Sequence, residues 1–243
     1  MPTSRYEPIY RRIKREIEDG THSFGDFLPS ENAYAARFSC SRNTVRRALS
    51  LLTSEGYLLP QHGRGVEVIY RNDSGKSLFS IGGIESFSEA AERNGLSFTT
   101  EVITFETIKA DSPLSMMSGF DAGIKLFHIE RLRRIKKKAI ILDENWFLCS
   151  EASGLTEEIA AKSIYTYLET ELGMNITTSK RRVTAEKATD PDSKYLDLHG
   201  LDFVLVVSGQ VFNSRGVMFE YTQSRHVPDQ VCFIESAVRQ HIT

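Results

Sequence analysis

The spacing of apolar residues changes once along this 243-residue chain, and that change limits what it can fold into. Ile9, Ile13 and Ile17 recur every four positions in an otherwise charged segment, which predicts one apolar stripe on an amphipathic helix with Pro8 in its first turn and Asp19-Gly20 at its end. Val45, Ala48, Leu49 and Leu52 repeat the helical spacing. Beyond residue 98 apolar and β-branched residues alternate instead with the period of strands. The stretch Arg71-Asn-Asp-Ser-Gly-Lys-Ser77 has no apolar residue and reads as a linker. The sequence therefore predicts a small helical unit over 1–70, a linker over 71–77 and a larger unit over 78–243.

Composition narrows the class. With 40% hydrophobic and 26% charged residues the chain is of ordinary globular type. No apolar run approaches the roughly 20 residues that cross a bilayer, and the polar start Met1-Pro-Thr-Ser-Arg-Tyr-Glu is unlike a signal peptide. Cys40, Cys149 and Cys232 are too scattered for a disulfide framework, and no Cys-x-x-Cys pair points to zinc. A cytoplasmic protein with reduced thiols and no membrane partner is expected. The net charge of −2 conceals an asymmetry: residues 1–72 carry 11 Lys+Arg against 8 Asp+Glu, net +3, leaving 19 against 24, net −5, for the rest. A basic reader of nucleic acid joined to an acidic sensing unit has this asymmetry.

In the first unit, Leu28-Pro-Ser-Glu31 leads into a second helix with Ser30 as its N-cap and Ala33, Ala36 and Phe38 facing inward. Ser41 caps a third helix, ended by Glu55-Gly56. Tyr57-Leu-Leu and Val66-Glu-Val-Ile then flank Gln61-His-Gly-Arg-Gly65, a glycine-bearing hairpin turn. Three helices and a hairpin make a winged helix-turn-helix. Its third helix offers Arg42, Asn43, Thr44, Arg46 and Arg47 in its first two turns, where a recognition helix meets base edges and phosphates. His62 and Arg64 stand at the wing tip.

Pro8-Ile-Tyr, Leu28-Pro-Ser-Glu31, Ser41-Arg-Asn-Thr-Val-Arg-Arg-Ala-Leu49, Glu55-Gly56 and Gly63-Arg-Gly65, in that order, resemble the signature of GntR-type bacterial transcription regulators. The resemblance implies that Arg42 and Arg46 contact operator bases, Thr44 the DNA backbone, and His62 and Gly63 the minor groove. One departure is Val66-Glu-Val68, where the family usually has an aromatic-Val pair.

The second unit is predicted as an α+β domain. Strands are expected near Thr99–Ile108, Lys125–Ile135, Ala139–Phe147, Ile176–Lys187, Phe203–Phe212, Val217–His226 and Val231–Val238. Helices are expected at Ile84–Asn94, Ser163–Leu172 and Asp190–Leu198, and Lys136-Lys-Lys138 as a hairpin turn. Arg131 and Arg133 fall on one face of a strand, because side chains alternate with period two. Ser86-Phe-Ser-Glu89 has capping-box spacing, and Ser163 begins another helix. Helix starts and paired guanidiniums together suit a phosphate. Equally, each Ser can simply cap its helix while the Arg pair meets carboxylates such as Glu130 or Glu144.

From Phe79 to Arg239 the chain resembles the chorismate-lyase-like effector domain of the HutC branch of that family. The resemblance implies that Arg131, Arg133, Ser163, Tyr165, Ser88 and the amide of Phe87 hold a sugar phosphate, while Glu220, Tyr167 and His226 face the sugar. Ile141–Phe147, Ser163–Glu169, Tyr195–Leu198 and Glu220–His226, Arg225-His226 above all, are most similar to regulators of trehalose use. That implies trehalose 6-phosphate as inducer. The same pocket serves regulators of amino-sugar phosphates, so glucosamine 6-phosphate and N-acetylglucosamine 6-phosphate stay open. A chorismate-lyase-like enzyme is the rival class, against which the fused DNA reader speaks.

The remaining features carry less. Trp146, in a strand, is expected in the core rather than under a sugar. His22, His128, His199 and His241 lack ligand spacing, and no nucleophile elbow occurs, so neither metal, catalytic residue nor cofactor is expected. One winged module makes few base contacts. A homodimer on palindromic double-stranded operator DNA follows, its half-sites about 34 Å or a multiple apart.

Overall fold

The computed structural model describes residues 6–71, 77–80, 83–93 and 95–234, and the chain divides into two compact units, the first running to Gly75 and resuming at Ile234, the second from Lys76 to Phe233. Of the expected linker, residues 72–76 lie outside the described residues, and Ser77 belongs to a strand. No described helix is long and apolar enough to cross a membrane.

The first unit consists of α1 (Glu7–Glu18), α2 (Glu31–Arg37), α3 (Arg42–Ser54) and a hairpin of β1 (Leu58–Gln61) with β2 (Gly65–Val68), paired from Leu58 opposite Val68 to Gln61 opposite Gly65. Ile9, Ile13 and Ile17 are all buried, as their spacing requires, against Val45, Ala48, Leu49 and Leu52 of α3. The inward face of α2 differs from expectation. Tyr34 is fully buried, whereas Ala33 and Ala36 are exposed. A seven-residue helix turns less than twice, so several faces fit its apolar pattern, and the one that buries an aromatic ring removes most area from water.

The second unit contains β3 (Ser77–Ser80), α4 (Phe87–Arg93), β4 (Phe98–Lys109), α5 (Ser112–Ser118), β5 (Lys125–Ile135), β6 (Lys138–Leu148), α6 (Glu157–Ala160), α7 (Ile164–Thr170), β7 (Ile176–Lys187), α8 (Asp190–Tyr195), β8 (Phe203–Asn213), β9 (Met218–His226) and β10 (Val231–Ile234). Six strands form one antiparallel sheet in the order β4-β5-β6-β9-β8-β7, while β10 pairs with β3. The α+β expectation holds. The elements β3, α5 and α6 were not foreseen, and residues 235–238 of the last expected strand and Asn94 of the first expected helix lie outside the described residues.

Packing fixes the two sheet faces. Ile129, Phe147, Val211 and Phe219 pack with Ala160, Ile164 and Leu168 of α6 and α7. On the opposite face Leu126, Trp146 and Tyr221 meet Leu114 of α5, and Leu132, Leu142, Val204 and Val206 meet Leu196 and Leu198 near α8. The β5–β6 hairpin turns through Lys136 and Lys137, with φ of 49° and 70°. These left-handed values suit the twist of a two-residue hairpin.

Candidate functional site

The first unit presents its cations at the start of α3. Ser41 accepts a hydrogen bond from the Thr44 amide at 3.2 Å, and Ser30 does the same for Ala33 at 3.2 Å, so both serines act as N-caps. Arg42 and Arg46 are exposed, and both reach back to Glu31 at the start of α2: Arg46 Nε and Nη2 donate at 3.0 and 2.9 Å, and Arg42 Nη2 at 3.5 Å. Asn43 and Thr44 lie on the same helix start. Across the hairpin tip, His62, Gly63 and Arg64 are exposed, with Gly63 at a φ of 74° that favours glycine and the Arg64 guanidinium 5.3 Å from the Phe27 ring. Arg47, beside the expected contacts, lies 4.3 Å over Tyr6. Every residue expected to read DNA is thus on α2, α3 or the wing, with cationic heads toward solvent.

In the second unit a cavity of about 160 Å³ opens over one face of the six-stranded sheet. Arg131 and Arg133 enter it from β5, as the alternation predicts, at 6% and 3% exposure. Arg133 Nε donates to Asp143 Oδ2 at 2.9 Å and Nη1 to Thr100 Oγ1 at 2.5 Å, with the guanidinium 4.9 Å from the Phe87 ring. Arg131 Nη2 donates to Asn145 Oδ1 at 2.7 Å, whereas its buried Nε has no hydrogen-bond partner among the described residues. Burial, reinforced by the like charge of Arg133, lowers Arg131 to about 9.

A second hydrogen-bonded group faces these cations from β9 and α7. Glu220 accepts from Tyr165 at 2.6 Å and from Asn145 Nδ2 at 3.1 Å. Burial raises Glu220 to about 7 and lifts Tyr165 well above its ordinary value. Burial opposes ionisation of Asp143 too, but Arg133 and Arg131 outweigh it and hold this carboxyl below its usual range; Ser224 adds a hydrogen bond at 2.6 Å. His226 also lines the cavity and is driven down to about 4 by burial.

The expected helix starts are present. Ser86 and Glu89 form reciprocal bonds of 3.3 and 2.7 Å at the head of α4, placing Phe87 and Ser88 in the cavity wall. Ser163 caps α7, accepting from the Thr166 amide at 3.3 Å, and lines the cavity with Tyr165. Tyr167 does not face the cavity. Two positions further along α7, it donates to the Ser153 carbonyl at 2.8 Å, because two residues of helix turn its side chain to the side opposite that of Tyr165. Asp143, Asn145 and Arg181 line the site and were not foreseen. Asp143 and Asn145 do alternate along β6, and Arg131 stands opposite Asp143 in register. Glu130 and Glu144, proposed as carboxylate partners of the Arg pair, point to the other face.

That opposite face gathers a different cluster. His128 joins Glu106 through Nδ1 and Glu144 through Nε2, each at 2.9 Å, and the hydrogen bond to Glu144 does most to raise it to about 9. One ligand-type atom each from His128, Glu130 and Glu144 lies within 4.8 Å of the others, a proximity made by neighbouring strands that no sequence spacing reveals. Both ring nitrogens are engaged with carboxylates, the geometry of an imidazolium rather than of a metal-binding lone pair. Trp146 stacks on His128 and is buried, as expected for a core residue. Arg225 is also on this face, its Nε 2.8 Å from Asp192 Oδ1 and its Nη1 3.1 Å from Glu186. Of the Arg225-His226 pair, only His226 lines the cavity.

Comparison with known proteins agrees with both halves. Residues 5–68 match the family of bacterial regulatory proteins described as gntR, and residues 93–231 match the UTRA domain. The HTH-type transcriptional regulator TreR of Bacillus subtilis (strain 168) is 34% identical over 98% of this chain and 99% of its own length. Among solved structures, that of the possible transcriptional regulator YydK from Bacillus subtilis subsp. subtilis str. 168 superposes with a TM-score of 0.79 at 22% identity, covering 96% of this chain and 99% of that one. The effector-binding domain of the B. subtilis trehalose repressor gives a TM-score of 0.55 at 33% identity over 59% of this chain and 99% of its own.

Proposed function

The chain belongs to the HutC branch of the GntR family of bacterial transcription regulators, a DNA reader followed by a UTRA effector domain, and on that premise we propose that it represses a trehalose-utilisation operon and leaves its operator when trehalose 6-phosphate fills the cavity. Its relatives are transcriptional regulators rather than enzymes, and it is a repressor of their type.

On this reading Arg42 and Arg46 contact bases in the major groove, Asn43 and Thr44 and the α2 start at Ser30 hold phosphates, and His62, Gly63 and Arg64 enter the adjoining minor groove. Two copies acting in the cytoplasm meet the halves of a palindromic operator. Arg131, Arg133, Ser163, Tyr165, Ser88 and the Phe87 amide take the phosphate. Glu220 and His226 meet the sugar hydroxyls.

The observation that carries the effector reading is the buried Nε–H of Arg131 beside a second buried guanidinium. A desolvated cation with a hydrogen still to donate is costly unless an acceptor arrives, and a phosphate oxygen supplies both acceptor and counter-charge. The name of the trehalose repressor, whose effector domain is 33% identical, supports the choice of sugar. For release, the phosphate must bind more tightly to a form of the protein that holds its operator less well, since equal affinity for both forms shifts nothing.

Fluorescence anisotropy on a labelled operator tests this. Trehalose 6-phosphate should displace the protein, and trehalose should not. Displacement by glucosamine 6-phosphate or N-acetylglucosamine 6-phosphate in its place would reassign the inducer. Arg131→Ala and Arg133→Ala should keep operator binding and lose the response; a normal response in both variants would remove the phosphate from this cavity.

A further inference from the structure

Tyr165 has one hydrogen to give, and in this structure it goes to Glu220. Tyr165 Oη donates to Glu220 Oε2 at 2.6 Å, while the other carboxylate oxygen, Oε1, accepts from Asn145 Nδ2 at 3.1 Å. The Asn145 amide is fixed in this sense. Its Oδ1 accepts from Arg131 Nη2 at 2.7 Å, and a guanidinium can only donate, so the amide must present its N–H side to Glu220 and to Thr222 Oγ1, 2.8 Å away. A hydroxyl is different, since it rotates about its C–O bond and can accept where it now donates.

These constraints decide where a proton on Glu220 goes. On Oε1 it would point at the Asn145 N–H, donor against donor. On Oε2 it points at Tyr165 Oη, which accepts it by turning its own hydrogen elsewhere. The surrounding groups favour that arrangement. Arg131 on β5 acts electrostatically on both Tyr165 and Glu220. Asp143 on β6 is engaged by Arg133 at 2.9 Å and Ser224 at 2.6 Å and stays ionised, so its charge disfavours a second carboxylate at Glu220. His226, on β9 with Glu220, is kept neutral by burial. Arg181 on β7 acts on Tyr165, and Glu85 before α4 and Lys162 before α7 also line the cavity. Burial leaves Glu220 at about 7, where an added negative charge in the cavity is enough to fill it with a proton.

We propose that the effector enters this cavity together with a proton from solvent: the proton settles on Glu220 Oε2, Glu220 donates it in a hydrogen bond to Tyr165 Oη, and Tyr165 gives its own hydrogen to a phosphate oxygen. The inference rests on the phosphate being held at Arg131, Arg133 and Tyr165. The one covalent bond formed is the O–H of Glu220, and its positive charge offsets half that of a phosphate dianion. Without that proton Tyr165 would meet the phosphate with a lone pair. The sensor therefore responds to less effector as pH falls from 8.5 towards 7.

Calorimetric titration of the full chain with trehalose 6-phosphate, at pH 7.5 in two buffers of different ionisation enthalpy, counts the proton. Wild type should take up about half a proton or more, and its affinity should fall about three- to tenfold per pH unit from pH 7 to pH 8.5, where the free phosphate is already a dianion. Glu220→Gln should lose this pH dependence, because an amide can donate to Tyr165 without a proton from solvent. Tyr165→Phe should lose it too, because no hydroxyl has to turn. Wild-type binding without proton uptake would overturn the proposal and leave the effector reading intact. A slope kept in Glu220→Gln would put the proton on another group, and a slope kept in Tyr165→Phe would make the uptake purely electrostatic; either result overturns the relay. Failure of wild type to bind the probe at any pH would remove the effector reading and the relay with it.

Discussion

Arg46 and Glu31 form a two-point ion pair, Nε to Oε1 at 3.0 Å and Nη2 to Oε2 at 2.9 Å, that ties the exposed face of the third helix to the start of the second. The hydrogen bond from Arg46 does most to hold the Glu31 carboxyl below its ordinary value, despite some burial. Arg42 shares the same carboxylate. The cations proposed to meet DNA are thus held toward one carboxylate before it arrives, and part of their rotamer entropy is already lost.

Arg42→Ala and Arg46→Ala should each weaken specific operator binding by about 1–3 kcal/mol and relax the sequence preference at one position. Glu31→Gln should raise affinity for a scrambled duplex, since an acid is gone from the DNA face, while narrowing the gap to the operator. Anisotropy on both duplexes at one fixed salt concentration measures the ratio. An unchanged ratio would contradict the pre-setting of Arg46.

Asp143→Ala should destabilise the second unit by about 3 kcal/mol or more, because it leaves Arg133 buried without its carboxylate. Ser224→Ala removes one hydrogen bond to that carboxylate and should cost about 1 kcal/mol. Urea unfolding separates the two. Equal losses would show that Asp143 is not the main partner of Arg133.

Glu220 should make stability fall with rising pH. Its folded value of about 7 lies above the ordinary 4.5, so the folded form binds the extra proton between these limits. The contribution is complete below pH 4.5 and is lost as pH rises through 7. Wild type should lose on the order of 2 kcal/mol relative to Glu220→Gln between pH 5 and pH 8. Parallel pH profiles for the two proteins would exclude a buried acid of raised affinity.

The His128 cluster titrates later. With a folded value of about 9 against 6.5 unfolded, its stabilisation is complete below pH 6.5 and fades as pH rises through 9. Melting temperature should fall between pH 7 and pH 9.5 in wild type and less steeply in His128→Gln. Direct NMR titration of the ring gives the value itself; an apparent value below 7 would mean that Glu106 and Glu144 do not hold the proton.

Lys137 occupies a left-handed position, φ 70°, that costs a residue with a Cβ roughly 1 kcal/mol. Lys137→Gly should recover about 0.5–1 kcal/mol without altering ligand or operator binding, and chemical denaturation checks it. Destabilisation would mean that the Lys137 side chain contributes to the hairpin more than its backbone costs.

Much of this was legible in the sequence because it depends on local period. The Ile9, Ile13, Ile17 stripe is buried, α3 buries the four residues its spacing names, and β5 and β7 have the bounds that alternation gives. The Arg131–Arg133 pair was legible for the same reason. What shares their cavity was not, because which of the polar residues Asp143, Glu144 and Asn145 face the arginines is settled only when β6 is set beside β5. Tyr167 was misplaced because its motif carries no information about which side of a short helix it leaves. The His128 cluster comes from three strands, β4, β5 and β6, and no single segment announces it.

The second unit opens and closes in the same two-stranded ribbon, since β3, which receives the chain after residues 72–76, is hydrogen-bonded to β10. Phe233 on β10 lines the cavity and meets the His226 ring edge-on at 5.0 Å. The doorway through which the sensor is entered and one wall of its chamber are thus adjacent strands. A ligand that displaced Phe233 would therefore act on a strand hydrogen-bonded to the one that receives the chain after residues 72–76.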